Sequence, residues 1–188
     1  LENSLADHRY LFFGAGSAAT GIADLVVQAM KARGVSDAEA RSRIWLMNSK
    51  GLVVRDNPGI QPHQIPFVRE GRLEPTLVDA VKAVQPTVLI GTSTQPQTFT
   101  KDVIDAMRAY CRRPVIFPYS NPTSKAECTA EQAWTWTNGE AIFAAGSPFP
   151  PVELGGRVLI PGQGNNVYIY PAVGLAVYAC EATRVTDE

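Results

Sequence analysis

The feature that most constrains the fold is a glycine-rich turn between a short apolar run and a helical pattern. It lies in the stretch RYLFFGAGSAATGIADLVVQAM, which begins at Arg9. The residues from Tyr10 to Phe13 are apolar and stop at Gly14, as expected of a buried strand. The residues after the turn recur at the spacing of one helical face: Ile22, Leu25, Val26, Ala29 and Met30. The turn therefore joins a predicted strand to a predicted amphipathic helix.

The letters GAGSAA fit the pattern G-x-G-x-x-G/A, with Gly14, Gly16 and Ala19 in the three special positions. In this pattern the first glycine permits a tight turn, the second lets the backbone approach a pyrophosphate, and the third small residue keeps helix and strand close. The helix then offers unpaired N–H groups and the positive end of its dipole to the phosphates. The pattern follows the first strand of a β-α-β succession, which is the context this fingerprint requires. We predict a dinucleotide site, with a purely structural turn as the alternative.

Strand-like and helical segments alternate along the rest of the chain. The further predicted strands are RIWLMN, TVLIGTS, RPVIFPYS, AIFAAGS and, as a sixth, RVLIPG. Capping patterns at Ser36 and Thr129 open two of the helices, and residues 167–180 form the last helix, with Pro171 near its start or at a kink. Residues 55–72 carry three prolines and predict an irregular loop. Because the strands are apolar nearly throughout, we predict a doubly wound α/β fold with a mainly parallel sheet, as one Rossmann-type domain over residues 1–188.

Composition excludes several classes of protein. The chain has 188 residues, of which 45% are hydrophobic, and its apolar runs are too short to span a bilayer. A net charge of −1 with interspersed acids and bases argues against nucleic-acid or membrane-surface partners. The three cysteines, Cys111, Cys128 and Cys180, form no CxxC pair, and no zinc-ligand spacing is present. The cysteines fit a reducing compartment, the cytoplasm or an organelle matrix, and no targeting segment is recognisable.

Asn48 stands at the end of the second strand, in WLMNSKG, where this kind of fold usually has an acidic residue. An aspartate there would bind the ribose hydroxyls and repel a 2′-phosphate. Asparagine can still bond the ribose without that repulsion, and Ser49 and Lys50 can contact a phosphate. The alternative is that NSKG is simply a hydrophilic turn.

Neutral polar residues follow the other predicted strands. They stand in GTST, with Thr92 and Ser93, in YSNPTS, in AGSPF and in PGQGNN. The carboxyl ends of parallel strands share one edge of a sheet, so these residues are expected to form one site. Such groups orient a substrate or a nicotinamide by hydrogen bonds but do not move protons at neutral pH. Taken singly, each segment is better explained as an ordinary turn, but four of them, each after a strand, favour a shared site.

Acid–base and metal-binding groups are missing from these strand ends. His8 precedes the first strand and His63 lies in the proline-rich loop, while the aspartates fit loop or helix-surface positions. No carboxylates with metal-ligand spacing stand out. We therefore predict no catalytic residue and no metal ligand in this chain, only a cofactor and one side of a substrate.

Several long blocks resemble the malic enzymes, in the order and spacing of that family and over essentially the whole chain. They are LADHRYLFFGAGSAATGIADL, IWLMNSKGLV, PTVLIGTS, QTFTKDVIDAM, SNPTSKAECTAEQA, AIFAAGSPFPPV and PGQGNNVYIYPAVGL. The resemblance implies an NAD(P)-binding domain that serves the oxidative decarboxylation of (S)-malate to pyruvate and CO2 with Mg or Mn. It also implies a chain truncated at both ends, with the catalytic tyrosine and lysine and the metal ligands before it, in an enzyme that forms a homo-oligomer.

The resemblance also assigns site residues. The residues implied around the dinucleotide are Gly14, Ala15, Gly16, Ser17, Ala18, Asn48, Ser49, Thr92, Ser93 and Asn165. Asn121 would bind malate, and Asn165 and Asn166 would reach malate and the nicotinamide ribose or amide. Ser49 and Lys50 are similar to NADP-using members, whereas Gln64 is similar to NAD-using members, which lack a lysine there. The absent lysine leads us to expect a slight preference for NAD over NADP.

Three other functions are alternatives to this one. A malolactic-type enzyme on the same scaffold would convert malate to lactate and CO2. By itself, the chain would be a nucleotide-binding module without catalysis. A dehydrogenase with a histidine base is disfavoured by the positions of the two histidines.

Overall fold

A seven-stranded sheet forms the centre of the computed structural model, which describes residues 4–186 apart from the side chain of Asn166. Its strands are β1 (Tyr10–Phe13), β2 (Ile44–Asn48), β3 (Gly51–Leu52), β4 (Val88–Gly91), β5 (Val115–Pro118), β6 (Ile142–Ala145) and β9 (Gly162–Gln163). The helices are α1 (Ser17–Lys31), α2 (Asp37–Ser42), α3 (Leu77–Val84), α4 (Lys101–Arg108), α5 (Ala130–Thr137) and α6 (Tyr170–Cys180). A separate hairpin pairs β7 (Val152–Leu154) with β8 (Arg157–Leu159).

The order of the strands confirms the predicted doubly wound α/β fold. The order is β3-β2-β1-β4-β5-β6-β9, and every neighbouring pair is parallel except β2 with β3. The chain moves outward from β1 to β3 and then returns to β4 on the other side of β1. This reversal between β1 and β4 is the topological switch point at which open α/β sheets bind ligands.

The sheet is buried on both faces, which explains its apolar strands. Alternate residues of a strand point to opposite faces: Leu11 packs with α3, α4 and α5, whereas Tyr10 and Phe12 pack with α1 and α2. Phe13, the last residue of β1, lies opposite Met47 and Gly91. The carboxyl ends of the three central strands therefore lie level with one another.

The predicted sixth strand, RVLIPG, does not join the main sheet as we expected. Its residues form β8, which pairs antiparallel with β7, and the edge position belongs to β9. Gly155 and Gly156 both have positive φ, at 57° and 73°, and they close a two-residue hairpin turn. Pairing across this turn is local, and the sequence pattern did not distinguish it from pairing with the sheet.

Turn and cap positions follow the sequence closely. The Thr129 hydroxyl accepts from Gln132 N–H at 3.1 Å while the Gln132 side chain accepts from Thr129 N–H at 2.8 Å. Ser36 accepts from Glu39 N–H at 3.2 Å, and Pro171 lies in the first turn of α6. The irregular loop of residues 55–72 contains a 3₁₀ segment, Pro62–Phe67, that was not predicted.

Tyr10 gives the fold an alkaline pH dependence. Its hydroxyl donates to the Leu5 carbonyl at 3.0 Å, and burial raises its pKa to about 12. Because the pKa in the folded state is the higher one, the neutral ring stabilises the fold fully below about pH 10, and this stability is lost as the pH rises towards 12. Between about pH 9.5 and 11.5, the free energy of unfolding of Tyr10→Phe, measured with urea, should fall by about 1–2 kcal/mol less than that of wild type. Tyr178→Phe alters an exposed ring, so its free energy of unfolding should change with pH as that of wild type does. A pH dependence of Tyr10→Phe that runs parallel to that of wild type would contradict the prediction.

Candidate dinucleotide-binding site

A cavity of about 780 Å³ lies at the carboxyl ends of β1, β2 and β4. Its wall contains seven of the residues predicted to bind a dinucleotide: Gly14, Ala15, Gly16, Asn48, Ser49, Thr92 and Ser93. Its volume is in the range of small-molecule and cofactor sites. Ser17 and Ala18 follow in the first turn of α1 and are not part of this wall, and neither are Asn121 and Asn165.

The glycine turn packs directly against the loop after β4. Gly14 has φ +104°, and a Cβ on it would lie 2.6 Å from the Thr92 carbonyl carbon and 2.8 Å from Ser93 N. Thr92 N–H donates to the Phe13 carbonyl at 2.8 Å, and the Thr92 hydroxyl donates to the Gly14 carbonyl at 3.3 Å. By contrast, a Cβ on Gly16 would meet nothing within 4 Å. Gly14 thus allows close packing, and Gly16 keeps open space in front of the turn.

The beginning of α1 is suited to an anion. Gly16 is the N-cap, so no side chain caps this end, and the first turn contains no acidic residue. The first helical hydrogen bond runs from Thr20 N–H to the Gly16 carbonyl at 3.0 Å. The amides of the first turn precede that bond and have no partner within the helix. These donors, the helix dipole and the open space at Gly16 fit a pyrophosphate.

Two residues that sequence reasoning did not assign to the turn hold it in place. His63 Nε2 and Gln64 Nε2 each lie 2.9 Å from the Ala15 carbonyl oxygen. Gln64 is buried, and its Oε1 accepts from Asn48 Nδ2 at 3.3 Å and from Gln61 N–H at 3.2 Å. The 3₁₀ segment therefore braces the turn, a contact that the proline-rich loop pattern did not indicate.

Asn48 is held by hydrogen bonds to the protein. Its Nδ2 donates to the Gly59 carbonyl at 3.1 Å as well as to Gln64, and its Oδ1 accepts from Lys50 N–H at 2.8 Å and from Asn57 Nδ2 at 3.0 Å. The predicted contact of this amide with a ribose stays a prediction. Ser49 and Lys50 are exposed beside it.

The predicted substrate residues come together at the next strand ends. The Asn121 carbonyl oxygen Oδ1 accepts from the Ser147 hydroxyl at 2.5 Å. A Cβ on Gly146 would lie 2.8 Å from Asn121 Nδ2, and Asn165 Nδ2 donates to the Gly146 carbonyl at 2.6 Å. Asn121 and Asn165 thus flank Gly146 after β6. The side chain of Asn166 lies outside the described part of the structure, so its predicted role stays untested.

Comparison with known proteins identifies the family of this chain. Residues 1–188 match the family profile described as "Malic enzyme, NAD binding domain". This chain belongs to the malic enzyme family. The malic enzyme resemblance drawn from the sequence is therefore confirmed, as is the assignment of an NAD(P)-binding domain.

Individual malic enzymes are similar over the whole of this domain. The chain is 49% identical over 187 residues to the chloroplastic NADP-dependent malic enzyme of Zea mays and 49% identical over 188 residues to the NADP-dependent malic enzyme of Columba livia. These matches cover 98% and 100% of this chain but only 29% and 34% of the relatives, so the chain spans about a third of their length. The crystal structure of Entamoeba histolytica malic enzyme superposes with a TM-score of 0.73 at 22% identity, over 99% of this chain and 34% of that one, which supports the fold.

Metal ligands are not gathered anywhere in residues 4–186 of this malic enzyme domain. No three His, Cys, Asp or Glu side chains lie close enough together there to hold an ion. The resemblance places the ligands of Mg or Mn outside this chain, and that expectation stays a prediction. None of the helices described here is long and apolar enough to cross a membrane.

A buried carboxylate at the same edge of the sheet was also missed. Glu127, in the block SNPTSKAECTAEQA, is fully buried and bonds the loops that follow β4 and β5. Its place in the sequence, two residues before a helix cap, carried no sign of burial or of the serines that surround it.

Proposed function

We propose that this domain binds the dinucleotide of a malic enzyme that converts (S)-malate to pyruvate and CO2. The observation that carries the proposal is the uncapped beginning of α1, which follows the glycine turn at the switch point of the sheet. The family match and the names of the relatives support the same activity.

The residues of this chain bind and orient rather than transfer protons. Bound NAD(P) supplies the acceptor for the hydride that leaves C2 of malate. The amides of Gly16 and Ser17 hold the pyrophosphate, and Asn121 and Asn165 fix malate for that transfer. We propose that the acid–base groups and the metal ligands belong to the two thirds of the relatives' length that this chain does not span.

The activity is tested with the natural full-length polypeptide that contains this chain. Calorimetric titration with NAD and with NADP should show saturable binding of at least one. Malate and Mn²⁺ should then yield pyruvate with stoichiometric NADH or NADPH. Lactate without free reduced dinucleotide would instead establish the malolactic alternative. Failure of both dinucleotides to bind would overturn the proposed function.

For the choice of cofactor, we propose that the site accepts both dinucleotides, with NAD slightly preferred. No carboxylate stands at the end of β2 to repel a 2′-phosphate, and position 64 carries a buried amide rather than a cation. The second candidate is a preference for NADP, which the names of the relatives favour. In that case, Lys50 is a candidate cation, since it directly follows Ser49 of the cavity wall and its Cγ lies near Gly59 and Asn48.

Lys50→Ala separates these two candidates. If Lys50 binds the 2′-phosphate, the variant should bind NADP about three- to tenfold more weakly while its affinity for NAD changes less than about twofold. Isothermal titration with both dinucleotides measures this. Lys82→Ala removes an exposed lysine on α3, away from the cavity wall, and serves as the matched control. Equal losses for NAD and NADP in Lys50→Ala would remove the proposed role.

Two further properties of the complete enzyme are proposed. Free Cys111, Cys128 and Cys180 support a reducing compartment, either the cytoplasm or an organelle matrix such as that of the chloroplastic relatives. The apolar side chains of α6, including Leu175 and Tyr178, are exposed, which supports burial against further protein, either the rest of the complete enzyme or a second copy in a homo-oligomer. Sedimentation analysis of the full-length enzyme tests the assembly.

A further inference from the structure

Glu127 is a fully buried carboxylate that joins two strand-end loops. Its Oε1 accepts from Ser93 N–H at 3.0 Å, from the Ser93 hydroxyl at 2.9 Å and from the Ser120 hydroxyl at 2.5 Å. Its Oε2 accepts from Ser120 N–H at 3.4 Å. Ser93 follows β4, and Ser120 follows β5, directly before Asn121. One side chain therefore fixes the cavity wall and the candidate substrate loop together.

The two serines pass this anchoring on to the backbone. While donating to Glu127, the Ser93 hydroxyl accepts from Gln95 N–H at 3.1 Å and the Ser120 hydroxyl accepts from Thr94 N–H at 2.9 Å. Gly91 provides the space for the carboxyl group, because a Cβ there would lie 2.3 Å from Glu127 Cδ. The loop from residue 93 to residue 95 is thus arranged around this carboxylate.

Glu127 has hydrogen-bond donors at both of its carboxylate oxygens and no cationic partner. All four contacts come from neutral N–H and O–H donors. Among residues 4–186, none of the ion pairs within 4.0 Å involves Glu127. A buried charge held only by dipoles is weakly screened, so its field reaches groups beyond its hydrogen-bond partners.

Only one residue separates this carboxylate from the cavity. Ser93 bonds the carboxylate and also lines the cavity wall. It lies on the β4 side of the switch point, opposite the β2 side that carries Asn48 and Ser49. In the proposed function, the adenosine half of the dinucleotide lies towards β2 and the nicotinamide half towards β4 and β5. The ring would therefore lie on the side of Glu127.

We propose that Glu127 is a positioning residue whose buried negative charge makes the site prefer the oxidised dinucleotide over the reduced one. The oxidised nicotinamide ring is a cation and the reduced ring is neutral, so a nearby anion attracts only the oxidised form. This inference rests on the proposed dinucleotide site. It adds that one residue of this chain, which does not touch the ring, makes the site bind the oxidised dinucleotide in preference to the reduced product.

The test compares the dissociation constants of the oxidised and reduced forms of one dinucleotide, measured by titration calorimetry on the full-length protein. Glu127→Gln keeps the shape and removes the charge. It should reduce the preference for the oxidised form about three- to tenfold. Glu127→Asp keeps the charge, so it should weaken both forms while leaving their ratio within about twofold of wild type. Glu131→Gln, an exposed carboxylate on α5, should leave both constants unchanged.

Each outcome bears on a distinct claim. If folded Glu127→Gln has the same ratio of dissociation constants for the oxidised and reduced forms as wild type, the inference is overturned. The inference is also overturned if Glu127→Asp changes this ratio as much as Glu127→Gln does, because the effect would then come from loop geometry. The amide introduced by Glu127→Gln faces N–H donors, so the measurement is repeated with one donor fewer. For this, the double variant Glu127→Gln with Ser93→Ala is compared with Ser93→Ala alone. Failure of wild type to bind either form would instead overturn the proposed function.

Discussion

Gly14→Ala is expected to weaken dinucleotide binding by at least about 100-fold and to destabilise the fold by on the order of 2–5 kcal/mol. The new Cβ would lie 2.6 Å from the backbone of Thr92, and φ +104° is a conformation that residues with a side chain rarely adopt. Backbone atoms cannot move aside as a flexible side chain can, so β1 and the loop after β4 must separate. Separation would move Gly16 and the beginning of α1 away from the cavity. Titration calorimetry and urea unfolding measure the two effects.

Two other glycines make this experiment specific. Gly21→Ala lies within α1, where a Cβ meets nothing within 4 Å. Its free energy of unfolding should therefore rise by about 0.5–1 kcal/mol, with dinucleotide binding unchanged. Gly16→Ala also meets no protein atom, so stability should change little, but its methyl group occupies the space proposed for the pyrophosphate. We expect about tenfold weaker binding in that variant. If Gly14→Ala binds within about threefold of wild type, the close packing of the turn does not matter for the site.

Asn121→Ala is expected to lower kcat/KM for malate about 100-fold in the full-length enzyme, with the dissociation constant of the dinucleotide within about twofold of wild type. The amide of Asn121 lies against Gly146, outside the wall of the dinucleotide cavity. The hydroxyl of Ser147 holds its Oδ1, which leaves Nδ2 to donate to a substrate oxygen. Steady-state kinetics with varied malate and calorimetry with the dinucleotide measure the two quantities.

Ser147→Ala and Thr135→Ala complete this series. Ser147→Ala keeps the Asn121 amide but removes the hydrogen bond that fixes its orientation, so kcat/KM is expected to fall about three- to tenfold. Thr135 is exposed on α5, and its alanine variant should match wild type. A kcat/KM for Asn121→Ala equal to that of Thr135→Ala would remove Asn121 from the substrate site. A parallel loss of dinucleotide affinity would assign it a structural role instead.

The predictions that succeeded rest on interactions between residues close in the chain. The strands β1, β2, β4, β5 and β6 with their helices, the glycine turn, the Thr129 cap and Pro171 at the start of α6 are all readable from spacing and residue type. The short antiparallel strand β3 was not predicted. The prediction for RVLIPG was wrong because this segment could pair either with the main sheet or with β7. The turn at Gly155 and Gly156 favoured β7, which is nearer in the chain. Family resemblance added the malic enzyme assignment, which the match over residues 1–188 confirms.

By itself, the sequence determined the α/β alternation and the position of the glycine turn, since periodicity, small residues and caps act over a few positions. The tertiary structure decided how that turn is held. Gln64 reaches the Ala15 carbonyl across 49 positions, and Glu127 reaches Ser93 across 34. Such contacts depend on which loops the packed sheet brings to one edge, and a neutral amide or a lone glutamate carries no local pattern that identifies its distant partner. For this reason the glycine turn was visible in the amino acids, whereas its brace and the buried carboxylate near it emerged only from the fold.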